Sequence, residues 1–180
     1  MNYYKIKYDK YVNKLDNLSN VYYYFNSYGK PIPVKYMNIL NSIKLKRATD
    51  KQYYQIRNNA DELAKNDYVA HGKLTIGSLN MIFTLFIMVE NRVTSVLNFI
   101  ISDNGYCYIE TFCGYNMLLL NLLKEVCNDI GIHKIKTFST YRPETDFLLQ
   151  NGFVTLKGNL PGSTEVPPFR GYLTLVLNRY

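Results

Sequence analysis

The sequence predicts an α/β (α+β) fold built on one mixed sheet. Residues 81–112 hold three apolar strand-like runs separated by turn signals, a pattern typical of an antiparallel meander. An apolar helix follows the third run, and Lys134–Ser139 then has the pattern of a further strand. Because a helix joins this strand to the third one, the two strands must run parallel. The sequence therefore predicts a meander followed by a parallel strand–helix–strand unit.

The meander strands are predicted at 81–89, 93–101 and 106–112. Residues 90–92 form the first turn. Residues 103–105 form the second turn, since their Asn-Gly pair tolerates the positive φ that a tight hairpin needs. These short connections place the three strands side by side.

The long helix is predicted to begin after Asn116, its N-cap, and to run to Asp129, with Gly131 ending it. Its apolar side chains point in nearly every direction, which indicates deep burial. They are Met117, Leu118, Leu119, Leu120, Leu122 and Leu123. A helix that begins where a strand ends presents free amides and suits a phosphate-bearing cofactor.

The remaining elements of the domain flank this unit. Ile43–Arg47 alternates apolar and basic residues and suits a strand, after which Thr49 and Asp50 supply an N-cap for a helix to about Ala64. Pro143 lies in the first turn of a short helix that ends at Gly152. The last two strands are predicted at 153–157 and 171–177, and the domain is predicted to cover 42–180.

Residues 1–41 are predicted to form a basic, Tyr/Lys-rich extension, with an amphipathic helix at 7–19. Residues 1–50 carry nine basic and three acidic side chains, which leaves +6 of the chain's net charge of +7. Such a segment can be a solvated surface or can meet acidic partners. It can dock on the domain or on another protein. In the second case it can join copies of the chain into a homo-oligomer or take part in a larger assembly. Nucleic-acid binding, with tyrosines stacked on bases, ranks last.

Composition excludes several classes of protein. No run approaches eighteen apolar residues, so no membrane span is expected, and the N-terminus has no apolar signal core. The three cysteines, Cys107, Cys113 and Cys127, lack metal-ligand spacing and indicate reduced core thiols of a cytoplasmic protein. No metal site is expected. Abundant Tyr, Asn, Ile and Lys suggest an A/T-rich genome, such as that of a virus or phage, and hence host cytoplasm or a virion.

The order of elements resembles that of the Gcn5-related N-acetyltransferase (GNAT) family over roughly residues 42–177. Ile43–Asp50 looks like the family's first strand, which ends in an Arg-Ala-Thr segment. Phe147–Phe153 looks like the family's Phe-Tyr-x-x-x-Gly-Phe ending of the last helix. The resemblance implies acetyl-CoA as cofactor and an amine as substrate.

The resemblance also implies site residues. Glu110 is the candidate base, Tyr108 on the same strand face can assist it, and Tyr141 is the candidate acid. The candidate cofactor-binding residues are Thr111, Phe112, Cys113, Gly114, Tyr115, Asn116, Ser139 and Thr140.

The sequence departs from the family pattern at two places. The loop before the long helix is short, with one glycine and no basic residue, where the family has a Gln/Arg-x-x-Gly-x-Gly/Ala loop for the pyrophosphate. Leu148 stands where many members have a tyrosine that protonates the coenzyme A thiolate, and a leucine cannot transfer a proton. Two functions therefore stay open: an N-acetyltransferase, or a catalytically inactive interaction or structural protein on the same fold, such as a viral assembly component.

Overall fold

The computed structural model describes residues 18–56, 82–139, 142–155 and 171–177. The strands in this part of the chain are β1 (Val21–Asn26), β2 (Lys46–Arg47), β3 (Ile82–Val89), β4 (Arg92–Ile101), β5 (Cys107–Cys113), β6 (Lys134–Ser139), β7 (Val154–Thr155) and β8 (Gly171–Val176). The helices are α1 (Val34–Ser42), α2 (helical at 50–56), α3 (Met117–Ile130) and α4 (Arg142–Gln150), with a 3-10 turn at Leu18–Asn20. The described strands form one mixed sheet in the order β2-β1-β3-β4-β5-β6-β8-β7.

The predicted meander is confirmed. β3, β4 and β5 pair antiparallel in sequence order. Glu90 and Asn91 turn the chain between β3 and β4 with φ of 51° and 63°, the left-handed conformation that a two-residue hairpin turn requires. The Asn-Gly turn joins β4 to β5, where the amide of Gly105 donates to the carbonyl of Ser102.

The long helix, α3, is also confirmed. Asn116 caps its first turn and Gly131 ends it in the left-handed conformation, with φ of 81°. Six of its side chains are buried in the core: Leu119, Leu120, Leu122, Leu123, Val126 and Cys127. Each such burial contributes about 1.5–3 kcal/mol relative to exposure. The helix is thereby fixed across one face of the sheet, with α1 packed beside it.

The sheet is covered on both faces. On one face α1, α3 and α4 contribute Ile39, Leu123 and Leu148 to a large apolar cluster. On the other face α2 contributes Tyr53 and Ile56 to a smaller cluster. The three cysteines are buried thiols that form no disulfide with one another, as predicted for core thiols.

The predicted first strand is wrong in its position. The sequence predicts the first strand at Ile43–Arg47. In the structure only Lys46 and Arg47 of this segment form a strand, β2, which is exposed and lies at the edge of the sheet. The strand that pairs antiparallel with β3 is β1. Aromatic side chains decide this outcome, because Tyr24 and Phe25 bury themselves on opposite faces of the sheet. A strand that is apolar on both faces gains more by lying inside the sheet than an alternating basic one.

Residues 21–42 thus lie in the same sheet and core as the rest of the described chain, although the sequence placed them in an extension. Tyr36 of α1 is buried, and its hydroxyl accepts from the amide of Ile101 at 2.9 Å. Residues 7–17 of the helix predicted at 7–19 lie outside the described residues. A distinct extension therefore stays a prediction for residues before 18.

Thr49 caps α2 as predicted. The amide of Gln52 donates to Thr49 Oγ1 at 3.2 Å, and the amide of Thr49 donates to Gln52 Oε1 at 2.9 Å. This reciprocal pair is a capping box. The helix is predicted to run to about Ala64, and the part of it after residue 56 lies outside the described residues. Within the described residues, no helix is both long enough and apolar enough to cross a membrane.

Candidate functional site

Two parallel strands part from each other at the centre of the sheet. β5 and β6 pair at three positions, Cys107 with Ile135, Tyr108 with Lys136 and Ile109 with Thr137. Beyond Ile109 and Thr137 no further positions pair, although β5 runs on to Cys113 and β6 to Ser139. At the last pair, Thr137 Oγ1 donates to the carbonyl of Ile109 at 3.1 Å. The predicted parallel pairing is confirmed, and the region between the unpaired strand ends is called the gap below.

Glu110 is the first residue of β5 beyond this pairing. Asn98 of β4 pairs with Thr111 and Phe99 with Ile109, so Glu110 is an extra residue in a β-bulge. Bulges redirect side chains next to binding sites. Glu110 is exposed as a residue, yet partial desolvation raises the pKa of its carboxyl. A higher pKa makes this carboxylate a better proton acceptor near neutral pH.

Tyr108 is the second predicted catalytic residue on β5. Burial is the main cause that raises the pKa of its phenol, and the charges of Tyr172, Glu110, Tyr106 and Glu144 raise it further. The phenol therefore stays protonated at neutral pH and can donate a hydrogen bond. The joint action predicted for Glu110 and Tyr108 stays a prediction.

The loop between β5 and α3 consists of Gly114, Tyr115 and Asn116, and β4 holds it in place. Ser95 Oγ lies 2.6 Å from the carbonyl oxygen of Gly114 and 3.1 Å from that of Cys113. Gly114 has φ of 65°, and a Cβ there would overlap the carbonyl oxygen of Thr94. The loop is therefore fixed against β4 by its backbone, which explains why it can be short.

The N-terminus of α3 lies directly behind this loop. The first amides of a helix have no acceptor within the helix and, with the helix dipole, favour an anion. Asn116 Oδ1 already accepts from the amide of Leu118 at 2.8 Å. An anion at this position must share the first turn with the Asn116 side chain. Met117 is 41% exposed, so the helix end is open to solvent.

We expect Asn116→Ala to lower the free energy of unfolding by about 1 kcal/mol, since the Leu118 amide loses its side-chain acceptor. Asn116→Gly should cost only a few tenths of a kcal/mol, because glycine leaves the amide open to water. Denaturant unfolding of both variants measures this difference. Equal losses for alanine and glycine would show that the cap does not stabilise the helix.

An aromatic cluster joins the loop to α4. The ring of Tyr115 stacks on that of Phe147 at a centroid distance of 5.6 Å. Phe112 contacts Tyr115 and Phe147 edge-on, each at 5.8 Å. Phe112 and Cys113 are buried, so their side chains do not face solvent. Leu148, where the resemblance implies a tyrosine, is buried in the same core.

The end of β6 forms the other side of the gap. Ser139 is fully buried, and its Oγ lies 2.6 Å from Thr145 Oγ1 of α4. Its hydroxyl thus joins β6 to α4. Thr140 and Tyr141, the remaining predicted cofactor-binding and acid residues, lie outside the described residues. Their assignments and those of the loop residues stay predictions.

Glu144 is a residue that the sequence reasoning missed. It lies in the first turn of α4, is only 7% exposed, and burial raises the pKa of its carboxyl to about 7. A buried carboxyl with a shifted pKa is typical of functional sites. The sequence signal was weak, because an acid in the first turn of a helix is ordinarily an exposed capping residue. Among the described residues, no cluster of His, Cys, Asp or Glu fits a metal ion.

The comparisons with known proteins bear on this architecture. No family model and no curated protein matches the chain. The solved structure of aminoglycoside 6′-acetyltransferase type Ii matches with a TM-score of 0.50 at 9% identity, over 73% of this chain and 96% of that one. The chain has the fold of the GNAT acetyltransferases. At this identity the likeness shows the GNAT fold alone.

Other solved structures give similar matches. Tetrahymena GCN5 matches with a TM-score of 0.47 at 13% identity, over 72% of this chain and 89% of that one. N-acetylglutamate synthase from Neisseria gonorrhoeae, solved with coenzyme A and N-acetyl-glutamate, matches with a TM-score of 0.45 at 13% identity. That match covers 73% of this chain and 34% of the synthase.

Proposed function

We propose that this protein is an N-acetyltransferase that transfers an acetyl group from acetyl-CoA to an amine. The observation that carries the proposal is the parting of β5 and β6 after three paired positions, with α3 beginning at the end of β5. A gap between two parallel strands offers a slot for an extended chain. The start of α3 beside it supplies amides for the phosphates at one end of such a chain.

The residues at this gap fit an anion bound at a helix end. The amides at the start of α3 would hold phosphate oxygens, and the Gly114 backbone fixes where that helix begins. In the described residues, the side chain seen to bind an amide of this first turn is that of Asn116, which would compete with a phosphate for the Leu118 amide. It is a neutral acceptor and can rotate away. Acetyl-CoA, when bound, supplies the thioester whose acetyl group is transferred.

Glu110 is the proposed base. Attack by an amine requires that its nitrogen lose a proton, and a carboxylate beside the gap can accept it directly or through one water. The raised pKa of Glu110 makes its carboxylate a stronger base, and a general base works best when its pKa is near the operating pH. Tyr108, held protonated, orients the carboxylate or the amine by hydrogen bonding. The acceptor is proposed only as a class, an amine.

Acetyl-CoA should raise the melting temperature of the protein, because a ligand that binds only the folded state stabilises it. At a ligand concentration of about 100 times Kd the gain is about 2.7 kcal/mol, equivalent to roughly 5–10 °C for a chain of this size. Differential scanning fluorimetry with acetyl-CoA measures the shift.

Glu110→Gln is the matched variant for this test. It should keep the shift but reduce acetyl transfer to a primary amine by about 10²–10⁴-fold, measured as released thiol. An unchanged melting temperature at millimolar acetyl-CoA would refute the proposal. It would favour the second candidate, an inactive interaction protein on the same fold, for which the buried Leu148 in place of a tyrosine is the specific observation.

A further inference from the structure

The inner face of α4 carries an acid among apolar side chains. Glu144, Thr145 and Leu148 are the buried residues of this helix. The basic residue of the same helix does not reach Glu144, because Arg142 lies 3.7 Å from Asp146 on the exposed side. Within the described part of the chain, no hydrogen bond or ion pair is seen for the Glu144 carboxyl. A largely desolvated carboxyl on an apolar helix face is costly when charged, which suggests that it serves a bound molecule.

The start of α4, which carries this carboxyl, is bonded to the end of β6. The neighbouring Thr145 bonds Ser139 at the end of β6. Glu144 is also the last of the charges that, after burial, raise the pKa of the Tyr108 phenol on β5. Tyr108 pairs with Lys136 one position before the strands part. Glu144 therefore lies on the buried face of a helix that is bonded to the end of β6, next to the proposed site of acetyl transfer.

Glu144 also has a defined relation to position 148. Residues four apart on a helix lie on the same face, one turn or about 5.4 Å from each other. Leu148 occupies the position at which the GNAT resemblance implies a tyrosine proton donor, and leucine has no proton to give. Glu144 lies one turn earlier on the same buried face, and its carboxylic acid has a proton to give.

We propose that Glu144 supplies the proton that the departing thiolate takes up, in place of a side chain at position 148. The inference rests on the proposed function. In the transfer, the amine nitrogen forms a bond to the acetyl carbon and the carbon–sulfur bond breaks. Its electron pair leaves with the sulfur, which takes the proton of the Glu144 carboxylic acid. The proton of the amine goes to Glu110, so charge and protons balance.

Burial brings the Glu144 carboxyl to a protonation state suited to this role. With its pKa raised to about 7, a large fraction of Glu144 holds a proton at neutral pH, whereas an ordinary glutamate holds almost none. The titratable and charged groups of the neighbouring strands are Cys107, Tyr108, Glu110 and Cys113 of β5, Lys134 and Lys136 of β6 and Tyr172 of β8, and Tyr106 directly precedes β5. The ammonium of Lys136 lies 4.3 Å from the centre of the Tyr106 ring.

The test uses coenzyme A itself and a readout that needs no turnover. A carboxylate beside the sulfur opposes a second negative charge, so it raises the pKa of the bound thiol. Thiolate absorbance of the coenzyme A complex, titrated with pH against a desulfo-coenzyme A baseline, should show a thiol pKa about 1 unit lower or more in Glu144→Gln than in the wild type. Asp146→Asn, on the exposed side of the same helix, should leave the thiol pKa unchanged.

A kinetic readout accompanies the titration. Glu144→Gln should lower kcat with acetyl-CoA by about 10²-fold or more, and less with a thioester whose thiol is more acidic. Glu144→Asp, which keeps the proton, should retain part of the rate. Equal thiol pKa values and equal rates in wild type and Glu144→Gln would overturn the role of Glu144 while leaving the acetyltransferase proposal intact. Failure of the wild type to bind coenzyme A would overturn both.

Discussion

Replacing Gly114 by alanine should destabilise the protein by about 2–5 kcal/mol. Two costs add up in this number. A residue with a Cβ pays about 1–2 kcal/mol to adopt the left-handed conformation, here with φ of 65°. The same Cβ overlaps the carbonyl oxygen of Thr94 and lies 3.2 Å from Ser95 Cα, and relieving such crowding costs about 1–3 kcal/mol more. Since both contacts are backbone, no side chain can rotate to make room.

Gly105→Ala is the matched control for this substitution. Gly105 has φ of 82°, but nothing lies within 4 Å of the Cβ that an alanine would add. It should therefore cost only about 1–2 kcal/mol, the conformational cost alone. Denaturant unfolding of both variants separates the two costs. Equal losses at the two positions would contradict the close packing of the loop on β4.

The Gly114 substitution also bears on function. If the loop moves off β4, the start of α3 moves with it, and the amides proposed to hold the phosphates lose their alignment. Gly114→Ala should therefore lose most of the acetyl-CoA-induced rise in melting temperature, whereas Gly105→Ala should keep it. A full acetyl-CoA shift in Gly114→Ala would show that the helix start does not hold the cofactor.

The meander and the strand–helix–strand unit could be predicted because local signals define them. The Asn-Gly turn, the Asn116 cap and Gly131 each act within a few residues, and the apolar strands between them leave few arrangements of the sheet. The parallel pairing of β5 and β6 then followed from chain connectivity alone.

The position of β1 could not be predicted in the same way. Both Val21–Asn26 and Ile43–Arg47 have strand-like sequences, and the choice between them depends on which segment buries more apolar surface against β3. Phe25 gains contacts with Phe83 and Tyr36, at ring centroid distances of 5.6 and 5.5 Å. Such long-range contacts are not visible in the local pattern.

The candidate site was predictable only in part. Glu110 and Tyr108 follow from their strand and from the family resemblance, but the bulge at Glu110 carries no sequence signal. The role proposed for Glu144 depends on its burial, which comes from the packing of α4 against the ends of β5 and β6. An isolated helix of this sequence would leave that carboxyl in water.

Replacing Glu144 by glutamine should stabilise the protein, and the gain should depend on pH. Burial raises the pKa of this carboxyl from its ordinary value of 4.5 to about 7, because it disfavours the charged form. Between these values the folded state holds the proton more tightly than the unfolded state. The stability gained from this tighter proton binding is fully present below the unfolded-state pKa. It is lost as pH rises through the folded-state pKa.

The size of the gain follows from the shift in pKa. A rise from 4.5 to about 7 costs the wild type about 3 kcal/mol once the carboxyl is ionised. Glutamine has nearly the same shape and no charge, so it avoids this loss. The variant should match the wild type near pH 4 and exceed it by about 3 kcal/mol near pH 8, roughly 6–12 °C in melting temperature.

Chemical denaturation at several pH values measures this dependence, with Asp146→Asn as the control. Asp146 is exposed on the same helix, so its substitution should change stability by less than about 0.5 kcal/mol. A gain that is the same at low and high pH would mean that the Glu144 carboxyl is not desolvated. If the gain appears and acetyl transfer falls in the same variant, the protein retains a carboxyl that lowers its stability because the reaction needs the proton.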